Sequence, residues 1–287
     1  MNNSNKQSHV ISSNKLSLGF LLSIFIIAYF PVLKSLILFW NSSDDYSHGF
    51  FIIPISCYIV WQKKDALKKI PASSSFSGLV IVVVSLLIYV LATYAEISTV
   101  KSLSIVPFLG GSILYLFGFR MLKAVMFPIL FLLFMIPVPG QIYSSLTIPL
   151  QLFVSKISVG ISSMLGIPIY RDGNVIHLPD HTLQVVQACS GLRSLMSLLT
   201  LSAVFGYFTL KSNILRSILF ATAIPTAICV NIVRVFMMTA AFYYFQYDLT
   251  EGTVHTAFGM IIFILALAII VLIGKILSIW DNSATQE

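Results

Sequence analysis

Apolar positions in this chain fall into long runs separated by short polar loops. A bilayer-crossing helix needs about 20 mostly apolar residues. Runs near that length occupy 16–40, 47–61, 76–95, 103–119, 122–138, 192–210, 214–245 and 255–279. The pattern predicts an all-α polytopic membrane protein with about eight transmembrane helices, forming a single integral membrane domain over 1–287. The run from Leu16 is too long for a signal-peptide core and no small-residue cleavage site follows it, so it reads as a retained first span. Pro225 inside 214–245 predicts a kink, or an extension of that helix beyond the bilayer.

The segment 139–191 departs from this pattern. Residues 146–165 are apolar, but counting them as a ninth span would bury Lys156 near the bilayer centre, at about 2.5–3.5 kcal/mol. It would also invert every later loop. The segment is therefore expected to carry a small interfacial or re-entrant helix on the outer side. After it comes GIPIYRDGNVIHLPDHTLQVVQ, in which Asp-Gly-Asn and Pro-Asp-His separate short β-prone runs. These turns predict a short β-meander before Cys189.

Composition agrees with the pattern: 57% of residues are hydrophobic, 9% are charged and the mean hydropathy is +0.94. A soluble domain carries about 25% charged residues. The net charge of +7 is not a nucleic-acid footprint, because the basic residues sit in clusters between apolar runs. Lys6, Lys15, Lys63, Lys64, Lys68, Lys69, Arg120, Lys123, Lys211, Arg216 and Lys275 all fall on one side if the N-terminus is cytoplasmic. Asp44, Asp45, Glu96, Asp172, Asp180, Asp248 and Glu251 then fall on the other. The excess of Lys and Arg on cytoplasmic loops sets that orientation, with both termini inside.

Three strings near the outer ends of three spans carry the candidate chemistry: ACSGLR at 188–193, NIVR at 231–234 and HTAFG at 255–259. Cys189 precedes a helix start, where free backbone N–H groups and a positive dipole end favour a thiolate. Cys57 and Cys229 lie inside apolar runs, and three cysteines in this spacing give neither a disulfide framework nor a metal pattern. No cofactor is expected. Arg234 lies in an otherwise apolar stretch, where a charge needs a partner or a function; its fixed donors suit the oxyanion of acyl transfer. Arg193, four residues after Cys189, competes for that role. His255 carries an imidazole, the side chain suited to proton transfer to and from a thiol. Ser190 and Asn231, inside two of the strings, are possible supporting residues. So is His48, which reads equally as a base, a substrate contact or a capped helix start.

Six strings in order, DDYSHGFFIIP, FMIPVPG, GNVIHLP, ACSGLRSL, NIVR and HTAFG, make the chain resemble the exosortase/archaeosortase family over nearly its whole length. The resemblance implies a cysteine transpeptidase in the cytoplasmic (inner) membrane with an extracytoplasmic active site, in which Cys189, Arg234 and His255 are catalytic. It also implies substrates that are exported proteins with a C-terminal motif (Pro-Glu-Pro in the PEP-CTERM class), a transmembrane helix and a basic tail, passed to a surface acceptor. Exopolysaccharide gene clusters often accompany Gram-negative members. Two other readings stay open: a membrane cysteine protease with water as acceptor, and a membrane subunit or transporter for exopolysaccharide export without peptidase activity. The partners expected are the bilayer and membrane-anchored substrate proteins, not nucleic acid.

Overall fold

The computed structural model describes residues 2–43, 45–179, 181–184, 192–249 and 252–283. Two compact units make up the chain, Met1–Val138 and Pro139–Glu287.

The first unit opens with α1 (Asn2–Ser42), followed by α2 (Gly49–Gln62), the short α3 (Lys64–Lys68) and α4 (Phe76–Tyr94). Next come α5 (Ser98–Leu103) and α6 (Ile105–Phe117), which share the apolar stretch Ser98–Phe117. α4 and α6 approach closely where Gly78 faces Gly111: a Cβ added at Gly78 would strike the Tyr115 backbone and the Gly111 carbonyl. Small residues at such crossings let helices pack backbone to backbone in a membrane. Tyr29, fully buried on α1, shares a 2.9 Å hydrogen bond with Ser104 between α5 and α6.

The expected fifth span, 122–138, is not one continuous helix. It is built from α7 (Phe119–Ala124), α8 (Met126–Phe131) and a 3₁₀ turn at Leu132–Met135. Proline supplies the reason. Pro128 has no N–H to give the Ala124 carbonyl one turn back. That carbonyl accepts instead from Lys63 Nζ at 3.1 Å. Side-chain and backbone bonds thereby sort the unit into two ends. One holds the Lys63–Ala124 contact and the bond from Ser73 N to Phe117 O. At the other, Trp40 Nε1 donates to Met135 O at 2.9 Å, Thr99 Oγ1 to Pro137 O at 3.2 Å, and Val138 N to Tyr46 Oη at 3.0 Å.

The second unit begins with α9 (Gly140–Met164), which starts six residues before the expected interfacial helix. Its buried face carries Thr147, Gln151, Val154, Ser155, Ser158 and Ser162. A three-stranded antiparallel meander follows, as the turn signals predict: β1 (Tyr170–Asp172), β2 (Val175–Leu178) and β3 (His181–Gln184), in that order. Three helices complete the unit: α10 (Leu192–Thr209), α11 (Asn213–Phe245) and α12 (Gly252–Ser283), each packed against the other two. Ser158 donates to the Ile232 carbonyl and Ser162 bonds Thr239, both at 3.2 Å, tying α9 to α11. Ile176 and Leu178 of the meander join Val154, Val235 and Met238 in one core. At the opposite end of α11, the Asp281 carboxylate of α12 accepts the backbone N–H groups of Lys211 and Ser212.

Among the described residues, six helices are long and apolar enough to cross a membrane: Ser23–Ser42, Phe76–Tyr94, Ser98–Phe117, Gly140–Met164, Asn213–Phe245 and Gly252–Asp281. Their outer surfaces are apolar, with Phe76, Leu91, Ile148, Ile261 and Ile264 all exposed. Contiguous apolar surface of this kind is rare in soluble proteins. The chain is an all-α, multi-pass membrane protein.

Candidate active site

α11 places Arg234 inside the second unit by helical periodicity. Leu219, Ala223, Thr226, Ala227, Val230, Asn231, Arg234, Val235 and Met238 recur at spacings of three and four and form one buried face. Asn231 and Arg234 are therefore neighbours on it, 4% and 8% exposed. A guanidinium on such a face has to be met by polar groups.

His255 meets it. α12 begins at Gly252, whose φ of +66° is a left-handed conformation suited to glycine, and His255 lies in the first turn. Arg234 Nη2 and His255 Nε2 are 3.0 Å apart, and His255 Nδ1 is 3.0 Å from the Leu249 carbonyl. A guanidinium only donates and a carbonyl only accepts. Both contacts are satisfied by the tautomer with its proton on Nδ1, which leaves the Nε2 lone pair to accept from Arg234.

Gly259 completes the arrangement one turn further along α12. A Cβ there would lie 3.1 Å from Arg234 Nη2, 3.4 Å from Cζ and 3.7 Å from Nη1. The guanidinium rests against the bare backbone of Gly259, and a larger side chain would move it.

Leu249 and Gly259 are the contributions that residue types alone do not announce. The HTAFG string contains Gly259, but its task emerges only when Arg234 is set beside it. The part played at Leu249 belongs to its main chain.

Arg193 is the second residue of α10 and is exposed. Cys189 and Ser190 lie outside the described residues; in sequence, Cys189 stands three positions before the first residue of α10. α10 itself packs against both α11 and α12.

His48 belongs to the first unit, in the turn before α2. Its side chain does not cap that helix. Burial pushes its imidazole below the ordinary value of 6.5, against the opposing pull of the Phe134 and Asp45 backbones.

A family model described as a transmembrane exosortase (Exosortase_EpsH) matches residues 40–272, about four fifths of the chain. The chain belongs to the exosortase family. Searches among curated proteins and among solved structures returned no match. The family match spans α2 to α11 and most of α12, so the Arg234–His255 contact of this exosortase and position 189 both fall inside it.

Proposed function

We propose that this exosortase is a cysteine transpeptidase that cleaves the C-terminal sorting signal of exported proteins at the outer face of the cytoplasmic membrane. Cys189, Arg234 and His255 would be its reacting set. The observation that carries the reading is the contact between Arg234 and His255, a guanidinium and an imidazole joined at 3.0 Å. Both helices bearing them pack against α10, and Cys189 stands three positions before the first residue of α10 in the chain.

A substrate carbonyl reaching Arg234 takes over the guanidinium donor, and His255 Nε2 is released to accept the Cys189 thiol proton. The thiolate attacks the carbonyl carbon, and the oxyanion is held by Arg234. Collapse breaks the C–N bond; His255 Nε2–H protonates the departing amine, leaving a thioester on Cys189. An acceptor amine or hydroxyl then gives its proton to His255 and attacks the thioester, and the thiol is restored. Throughout, the Leu249 carbonyl keeps the Nδ1 proton in place, so that proton exchange happens at Nε2 alone.

In the same reading the segment 139–191 faces outward, with α9 along the interface so that exposed Lys156 stays out of the hydrocarbon. Both termini are cytoplasmic. The substrate's own helix lies in the bilayer and presents its motif at the depth of Arg234. PEP-CTERM proteins are the substrate class with this build.

The test is a processing assay with a protein bearing such a signal, comparing the native enzyme with Cys189→Ala, Arg234→Ala and His255→Ala. Each variant should insert normally and leave the precursor uncleaved. Normal processing by Cys189→Ala would remove the nucleophile. The mass of the mature product separates transfer from hydrolysis, since a hydrolysed product carries no added group.

A further inference from the structure

The first unit contains a cavity of about 610 Å³ whose walls come from α1, α2, α6 and α8. Phe25, Leu33, Cys57, Leu109, Ile113 and Ile129 make its lining almost wholly hydrocarbon. It opens beside α2, where Cys57, Val60 and Trp61 are exposed. The volume lies within the range of small-ligand sites, about 300–1,000 Å³. It is far too small for a spanning helix, a cylinder about 10 Å across and 30 Å long that occupies on the order of 2,400 Å³.

Two features give the groove a polar grammar. Ser56, 6% exposed, lines it with a hydroxyl that has no hydrogen-bond partner among the described residues. A buried hydroxyl in that state has lost its water without replacement, which a ligand acceptor would make good. At the α3 end, Lys64 Nζ stands 4.8 Å over the Trp61 ring. Lys69, Arg120 and Lys123 are exposed on the adjoining α3 and α7 segments, and the Lys63–Ala124 bond binds those segments together. Asp65 is paired with Lys68. Basic groups beside an apolar cleft between membrane helices recognise anionic headgroups. The same charge repels a substrate helix that ends in a basic tail.

We propose that this groove is a lipid site: it takes one acyl chain of an anionic phospholipid, with the phosphate at Lys64 and a glycerol-ester carbonyl accepting from Ser56. The spacing suits such a molecule. Ser56 lies five residues before Trp61, about 8 Å deeper along α2 at 1.5 Å per residue. The site is built from the first unit alone, whereas the Arg234–His255 pair belongs to the second.

Native mass spectrometry of the full-length protein in detergent tests this, with phosphatidylglycerol or phosphatidylcholine of identical chains added. One phosphatidylglycerol should be retained per protein in preference to phosphatidylcholine. Lys64→Gln should weaken that preference about fivefold, the effect of one cation worth about 1 kcal/mol. Cys57→Phe, at an exposed position on the wall, should abolish retention of either lipid by filling the groove. Both variants should keep the elution profile and melting curve of the native protein. Soluble glycerol 3-phosphate should not displace the lipid, because it has no chain to bury. Equal retention of the two lipids, or a preference untouched by both substitutions, overturns the proposal. Displacement by glycerol 3-phosphate or by a transmembrane peptide with a basic tail overturns it as well.

Discussion

Arg234 donates to His255 Nε2 at 3.0 Å, so the imidazole nitrogen that would serve as a base is already engaged by the cation beside it. The pairing is geometrically selective. A guanidinium presents several donors in a rigid plane, whereas an ammonium is one flexible, strongly hydrated point charge. Arg234→Lys should therefore insert and fold yet lose about 10²–10³ in processing rate, the scale of losing one oxyanion donor. A time course of precursor cleavage checks this; a rate within a factor of two or so of native would show that charge alone suffices.

Gly259 sets the position of that guanidinium. Gly259→Val places branched carbon where the open backbone now admits Nη2, and should cost on the order of 10² in turnover, as catalytic misplacements of about 1 Å do. Gly259→Ala asks for a smaller shift and should fall between the two. Melting temperatures should stay near native for both, since the change is to one side chain's seat. A variant with normal turnover would show that Arg234 tolerates displacement.

At the other end of the second unit, Asp281 accepts two backbone N–H groups where α10 passes into α11. Hydrogen bonds to a charged acceptor contribute about 1.5–3 kcal/mol. Asp281→Ala should lower thermal stability by that order while leaving activity per folded molecule unchanged. Asp281→Asn keeps one oxygen acceptor and should lose less. Differential scanning of the purified variants gives the comparison.

His48 predicts an acid sensitivity in the first unit. Its imidazole binds a proton less readily when folded than when unfolded, where it titrates near 6.5. Its effect is absent above that value. Stability falls as pH drops from 6.5 through the lower folded value, and then levels off. Melting curves of native protein and His48→Gln, recorded across that interval, should converge at high pH in slope and diverge on acidification, the variant losing less. Parallel curves would show that His48 is not the group responsible.

The apolar runs made the long helices legible, because length and hydropathy decide them with little help from tertiary packing. The run at 122–138 does not disclose its break into shorter helices. Composition there suits a span, but Pro128 leaves the Ala124 carbonyl to Lys63, a partner remote in sequence. α9 also starts earlier than expected: 140–143 is polar enough to read as loop, yet it is helical and Tyr143 N bonds back to Pro139 O. The meander was readable because its turns carry Gly173 and Pro179, residues whose backbone preferences are local. Arg234 and His255 stood out as ionisable groups in apolar surroundings. That they touch, and that Nε2 is the nitrogen involved, depends on how α11 meets α12, which no short string encodes.

The oxygen that holds the His255 ring belongs to the backbone of Leu249. A side-chain scan of the α11–α12 connection would therefore pass over position 249 in silence, since every amino acid carries the same carbonyl there. Only a change in the path of the chain, such as a deletion or a proline that redirects it, can withdraw that acceptor. The orientation of the imidazole is in this sense insured against point substitution at its own anchor, while remaining vulnerable to the length of the connection that supplies it.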